Sequence, residues 1–294
     1  MFGSRRALHQ RRLRVRRISG LSPNRMIPNV LTLLALCAGM TAMRLAITGK
    51  YESAVIAIIV AGILDGLDGR IARLLKSTSS FGAQLDSLAD FIDFGVAPAI
   101  VVYFWATATL GSLGWAVAVF YAICCALRLA RFNTQLDVEL PSYAYNFFTG
   151  VPAPAGAALV IVPMFMSFEW GDTVFRSATL NTIVLAAVGA LMASRVPTLS
   201  LKRVRIRPDQ ILPVLIGIAI AVALLSSAPW PTLTLVGLAY LGSIPLTVRN
   251  YYRLKQAHEA ATAATGGGTP ASTSAIAAAP SVEPAAQKPR PRAV

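Results

Sequence analysis

The sequence predicts an all-α, polytopic integral membrane protein of about eight transmembrane helices, and three observations predict it. Hydrophobic residues make up 55% of the 294-residue chain and charged residues only 14%, against about 25% charged in an ordinary soluble domain. Apolar runs of roughly 18 residues or more, the length a helix needs to span a bilayer, recur eight times along the chain. The basic residues also segregate. With a cytoplasmic N-terminus and eight spans, only Arg44, Lys50 and Arg176 of the 27 Lys and Arg fall on the outer side, the asymmetry described by the positive-inside rule. A soluble helical protein would need polar faces that these runs lack. The net charge of +14 is then mostly a topology signal and does not require nucleic acid.

Taken in order, residues 1–25 form a basic cytoplasmic segment that includes SRRALHQRRLRVRRISG. Beside a span, such a run is drawn to anionic lipid. It does not read as a cleavable leader, because the span after it is too long and no small-residue cleavage site follows. The spans are expected at about 28–48, 53–75, 86–109, 112–131, 148–168, 178–196, 210–228 and 231–250. Several hold Gly and Pro, which membrane helices tolerate. Residues 256–294 are rich in Ala, Thr, Ser, Gly and Pro and are expected to be disordered. Cys37, Cys124 and Cys125 fall inside spans and read as small hydrophobes, not as a disulfide framework. His9 and His258 lie outside the membrane part, so histidine is not the base of an intramembrane site. No nucleophile elbow or P-loop occurs. The chemistry is left to carboxylates.

Five of the 13 acidic residues, Asp65, Asp68, Asp86, Asp90 and Asp93, crowd into residues 65–93. A carboxylate at the bilayer centre costs roughly 2.5–3.5 kcal/mol on insertion scales. Asp65 and Asp68 are three apart near the end of the second span; Asp86 and Asp90 are four apart where the third begins. Both spacings put a pair on one helical face. A short turn around 76–80 lets the two pairs converge at the cytoplasmic edge. Two hard divalent cations would cancel four such charges, and carboxylate oxygens suit Mg²⁺ or Mn²⁺. Paired ions of this kind serve attack at phosphorus. Gly66, Gly69, Ala72 and Gly82 leave room for a ligand, and Arg73 can meet a phosphate. Two blander readings stand beside this one: a proton or cation path, and structural pairing of the acids with Arg70 and Arg73. Asp93 reads as an interface acid rather than a ligand.

The run Asp65-x2-Asp68-Gly69-x2-Ala72-Arg73-x8-Gly82-x3-Asp86-x3-Asp90 resembles the full signature of the CDP-alcohol phosphatidyltransferases. The resemblance implies a dimetal site held by Asp65, Asp68, Asp86 and Asp90, with two Mg²⁺ or Mn²⁺ ions. It implies that Asp90 is also the base for the attacking alcohol, and that Gly69, Ala72, Arg73 and Gly82 line the pocket for cytidine and diphosphate. Asn29 and Thr32, in IPNVLTLLALCAGM, are similar to a Pro-Asn…Thr stretch of the family. They read either as nucleotide contacts or as an ordinary polar helix cap.

DFIDFGVAPA at 90–99, LRLARFN at 127–133, FFTGVPAPAGA at 147–157 and SRVPTLSLK at 194–202 resemble the membrane-integral phosphatidylserine synthases within that family. Residues 26–202 are then the membrane core, and residues 203–255 supply two additional helices. The resemblance implies CDP-diacylglycerol and L-serine as substrates, a homodimer, and a bacterial inner membrane with both termini and the active site cytoplasmic. A serine carboxylate wants a cation. Arg128 and Arg131, at the end of the fourth span, are the candidates; each could equally anchor the helix end. The alternatives are a sister enzyme that uses glycerol 3-phosphate, choline or an inositol phosphate and, more remotely, a cation- or proton-coupled transporter.

Overall fold

The computed structural model describes residues 23–77, 79–134, 147–199 and 211–264. The basic segment before residue 23, residue 78, residues 135–146, the basic stretch 200–210 and the chain after 264 lie outside the described residues. α1 (Pro23–Ile47) and α2 (Tyr51–Leu74) are joined by a tight turn at Gly49 (φ +76°). They pack through small residues: Ala35, Ala42 and Ala46 of α1 and Ala54 and Ala61 of α2 are all buried. Such residues let membrane helices approach closely. α2 closes with Ser77 N–H on Ala72 O at 3.0 Å and Lys76 at φ 48°. α3 (Ser80–Asp90) then starts with Ser79 as its cap, the side chain accepting from Gly82 N–H at 3.0 Å. Serine is a preferred N-cap because its oxygen satisfies a free amide of the first turn.

α3 runs through a π-helical segment, Phe91–Val96, into α4 (Ala97–Trp105). The three form one apolar stretch from Ser80 to Trp105. The third span therefore begins six residues earlier than its hydropathy predicts, and Asp86 and Asp90 sit inside it. After a short 3₁₀ turn come α5 (Ser112–Thr134), β1 (Phe147–Thr149), α6 (Ala153–Trp170), the single turn α7 (Asp172–Phe175) and α8 (Ala178–Ala193). β2 (Pro197–Leu199), α9 (Ile211–Ser227) and α10 (Pro229–Ala264) complete the described chain. The buried centre is built by α4, α5, α6 and α8, around Val101, Tyr121, Cys125, Ile161, Leu185 and Met192.

Among the described residues, five helices are long and apolar enough to cross a membrane: residues 26–47, 80–105, 112–134, 153–170 and 229–253. α8 and α9 are apolar but have only 16 and 17 residues. α2 has 24 residues but carries Glu52, Asp65, Asp68, Arg70 and Arg73. Of the eight expected spans, five are thus long apolar helices, two are shorter apolar helices and one is a long helix with more charge. The all-α expectation needs an amendment. β1 and β2 pair antiparallel, with Phe148 opposite Thr198, and Thr198 Oγ1 donates to Gly150 O at 2.8 Å. Another concerns the tail, where α10 stays helical to Ala264, past residue 256. The run AHEAATAA is rich in alanine, the best helix former.

Away from the acids, Arg176 ties three elements together. Its Nε donates to Trp105 O at 2.9 Å, its Nη1 meets Asp172 Oδ2 at 3.1 Å, and its guanidinium lies 5.5 Å from the centre of the Tyr51 ring. Ser167 Oγ donates to Asp172 Oδ1. That bond first, and Arg176 with it, hold the Asp172 carboxyl below the usual carboxylate range.

Candidate active site

Successive helical turns bring the two acidic pairs together. Asp65 and Asp68 lie on the last turns of α2, and Asp86 and Asp90 lie on α3 after the turn capped by Ser79. One carboxylate oxygen from each of Asp65, Asp68 and Asp86 lies within 4.8 Å of the other two. Asp90 is their immediate neighbour, beside Asp65 and Asp86, and its Oδ1 is buried with no hydrogen-bond partner. Among the described residues no Lys or Arg closes an ion pair with any of the four; the one such pair is Arg176–Asp172. Arg70 and Arg73 are exposed, so structural pairing with them is set aside. Four crowded carboxylates without a counter-ion form a donor set of hard oxygens, which fits divalent cations.

Asp68 is only 4% exposed. Thr32 Oγ1, on α1, donates to Asp68 Oδ2 at 2.5 Å and also lies 3.1 Å from Pro28 O. Thr32 is thus a support for a metal-site carboxylate, beyond either reading available from sequence. A cavity of about 180 Å³ opens beside this pair, lined by Asn29, Thr32, Asp68, Gly69, Ala72, Gly82 and Asp86, with Ser77 and Ser79 at its edge. A Cβ at Gly82 would sit 3.0 Å from Asn29 Oδ1 and 3.1 Å from Ser79 Oγ, close enough to press on both side chains. Arg73 alone among the expected nucleotide-site residues does not line the cavity.

The two candidate arginines part company. Arg131 donates from Nη1 to Ser194 O at 3.0 Å and from Nη2 to Ala193 O at 2.9 Å. It caps the C-terminus of α8, where a cation is favoured. Arg128 makes no such commitment. Its Nε is buried without a partner, and its charge acts on Asp90 and on Tyr240 of α10. Asn133 Nδ2 donates to Ser87 Oγ at 3.0 Å and ties α5 to α3. Asp93 turns away towards α1. It is 1% exposed, its Oδ1 has no partner, and a Cβ at Gly39 would collide with that oxygen.

Sequence reasoning missed Ser77 and Ser79 at the cavity, and Tyr240 near Arg128. A serine just before a helical run is a legible cap signal. Tyr240 left no signal, being one tyrosine in an apolar helix more than a hundred residues beyond Arg128 in the chain.

Residues 25–193 match the family described as CDP-alcohol phosphatidyltransferase. The chain belongs to that family. A second pattern, CDP-alcohol phosphatidyltransferase 2, matches residues 210–245, which cover α9 and the first half of α10. The chain is 37% identical over 231 residues to a CDP-diacylglycerol–serine O-phosphatidyltransferase of Mycobacterium tuberculosis H37Rv, covering 78% of this chain and 80% of that protein. Proteins of the same name from Helicobacter pylori 26695 and Bacillus subtilis 168 are each 35% identical to it. The first match covers 63% of this chain and 76% of the relative, the second 58% and 88%. This phosphatidyltransferase thus aligns over more than half of its length with each of three proteins of that one name.

Proposed function

We propose that the chain is a CDP-diacylglycerol–serine O-phosphatidyltransferase. The observation that carries the reading is the cluster of Asp65, Asp68 and Asp86, with Asp90 beside it, against a cavity that Asp68 and Asp86 line together with Asn29, Thr32, Gly69, Ala72 and Gly82. Relatives of that activity along most of the chain support it. Asp65, Asp68, Asp86 and Asp90 would hold two Mg²⁺ or Mn²⁺ ions, which when bound offset the acidic charge and polarise phosphoryl oxygens. The cavity takes the cytidine diphosphate head, while Gly69 and Gly82 keep its walls clear of side chains. Arg73, exposed at the mouth of α2, meets phosphate from outside. Arg128 takes the serine carboxylate, and Arg131 holds α8.

Asp90 accepts the proton of the serine hydroxyl. An alcohol is far too weak an acid to ionise alone near neutral pH, so a positioned base is what the step needs. The serine oxygen forms a bond to the lipid-bearing phosphorus, and the bond from that phosphorus to the bridging oxygen breaks. Phosphatidylserine and CMP result. The membrane fold serves the lipid: acyl chains stay in the bilayer and the head group reaches the acids. The Lys and Arg distribution supports an acid-bearing face on the cytoplasmic side, eight helical passes, and both termini inside; the likeness to membrane-integral phosphatidylserine synthases supports a bacterial inner membrane. The active form is a homodimer.

The test is CMP release by purified protein with CDP-diacylglycerol and Mn²⁺ or Mg²⁺, with L-serine, glycerol 3-phosphate, choline and inositol phosphate offered separately. Release with serine alone, lost in Asp90→Asn, is expected. Release with a different acceptor would keep the family and sink serine. No release with any acceptor, from folded protein that binds divalent ions, would overturn the catalytic reading and favour transport.

A further inference from the structure

Three buried polar atoms near the end of α5 have no partner: Asp90 Oδ1, Arg128 Nε and the Tyr240 hydroxyl oxygen. They come from three different helices, and Arg128 interacts electrostatically with both of the others. Buried polar groups in native proteins are almost always satisfied, so a cluster of unsatisfied ones marks missing partners. Tyr240 is held from its apolar side. Its ring lines a cavity of about 390 Å³ together with Gly62, Phe94, Ala155 and Gly237. Its hydroxyl lies at the polar end, beside Thr198 of β2 and within reach of the Arg128 charge. By distance and angle no hydrogen bond closes between the two hydroxyls, and Thr198 Oγ1 gives its own proton to Gly150 O, 2.8 Å away. A tyrosine with an apolar body and a polar tip suits such a boundary.

We propose that Tyr240, carried by α10, is a specificity-determining residue for the acceptor. Its hydroxyl donates to the carboxylate that Arg128 binds, while Asp90 takes the acceptor's hydroxyl proton. This rests on the reading of serine as acceptor and adds α10 to the site. A free amino acid has a carboxylate that a simple amino alcohol lacks. Arg128 and Tyr240 together supply a charge and a neutral donor for that group, and an acceptor lacking it leaves both unpaired, which is a strong form of rejection. The helices outside the membrane core thereby acquire a task in choosing the substrate.

The experiment compares the full-length wild type with Tyr240→Phe, which keeps the ring against its cavity and removes only the hydroxyl. KM and kcat are measured for L-serine and for ethanolamine, with KM for CDP-diacylglycerol and thermal unfolding as controls. Loss of one hydrogen bond to a charged group predicts a rise of about tenfold or more in KM for serine. kcat, KM for CDP-diacylglycerol and the unfolding temperature stay near wild type, and the preference for serine over ethanolamine falls by a similar factor. An unchanged KM for serine in an active variant overturns the proposal and leaves the serine reading intact. A fall in kcat with unchanged KM also overturns it, since it would place Tyr240 at the reacting atoms. A wild type that releases CMP only with a different acceptor removes the serine reading and this inference together.

Discussion

Thr32→Val isolates one atom of the metal-site scaffold. Valine keeps the volume and the branched Cβ that fix the rotamer on α1, but it cannot donate to Asp68. The bond removed is 2.5 Å long, and Thr32 and Asp68 are each 4% exposed, so water has little access to replace the donor. A hydrogen bond to a charged group contributes about 1.5–3 kcal/mol, or roughly tenfold to a hundredfold and more in an equilibrium constant. Loss of a group that orients a metal ligand typically costs about 10–100-fold in metal affinity, and the two routes agree. Mn²⁺ binding followed by electron paramagnetic resonance, beside CMP release titrated with Mn²⁺, should therefore show a midpoint at least about tenfold higher in Thr32→Val. The maximal rate at saturating Mn²⁺ should be largely retained, and Thr32→Ser should restore the midpoint. A Thr32→Val protein with the wild-type Mn²⁺ midpoint in both measurements would refute the reasoning, and the short bond to Asp68 would then have no part in holding the ion.

Other perturbations separate chemistry from architecture. Asp90→Asn should lower kcat by about 10²–10⁴-fold, with CDP-diacylglycerol binding retained; near-normal turnover would exclude Asp90 as the base. Arg128→Gln should raise KM for serine with little change in unfolding temperature, whereas Arg131→Gln should lower the unfolding temperature because the carbonyls of Ala193 and Ser194 lose their donors; identical behaviour of the two would contradict their separation. Gly39→Ala drives a methyl into buried Asp93 and should cost about 1–3 kcal/mol, read as a lower unfolding temperature in detergent. Asp172 has a lowered pKa in the folded protein. Its stabilising contribution is present above the ordinary value of 3.8 and is lost as pH falls through the lower folded value. The gap in unfolding temperature between wild type and Asp172→Asn should therefore be constant from pH 5 to 7 and close in stronger acid; a gap that widens there would reverse the assignment.

The sequence made the acidic cluster legible because its residues are local. Asp65 to Asp90 span one turn between two helices, and helical periodicity alone brings them together. The lining of the cavity beside it was largely legible for the same reason, with Asn29 and Thr32 added by resemblance. What stayed hidden depends on packing between distant elements. Nothing in LRLARFN says that Arg131 is spent on the end of α8 while Arg128 is left unpaired, because that choice depends on where residues 193 and 194 arrive. The π-helical Phe91–Val96 also has no apolar period of its own. Yet it sends Asp93 to Gly39, Phe94 to Gly62 and Gly95 to Cys125. The two-stranded sheet escaped because strands of three residues carry too little alternation to be read.

The modest lengths of α8 and α9 also bear on the lipid itself. At about 1.5 Å per residue, helices of 16 and 17 residues reach only about 24–26 Å, against a hydrocarbon core of about 30 Å. A bilayer meeting short helices is pinched or forces them to compensate. In a bilayer, acyl tails beside this flank are compressed, and head groups there ride lower than elsewhere on the perimeter. α9 has no buried residue and packs on α10, so most of its remaining surface is left to this thinned lipid. Membrane thickness thus becomes a property to which the protein is matched, and longer-chain lipids press hardest on the hairpin that delivers α10.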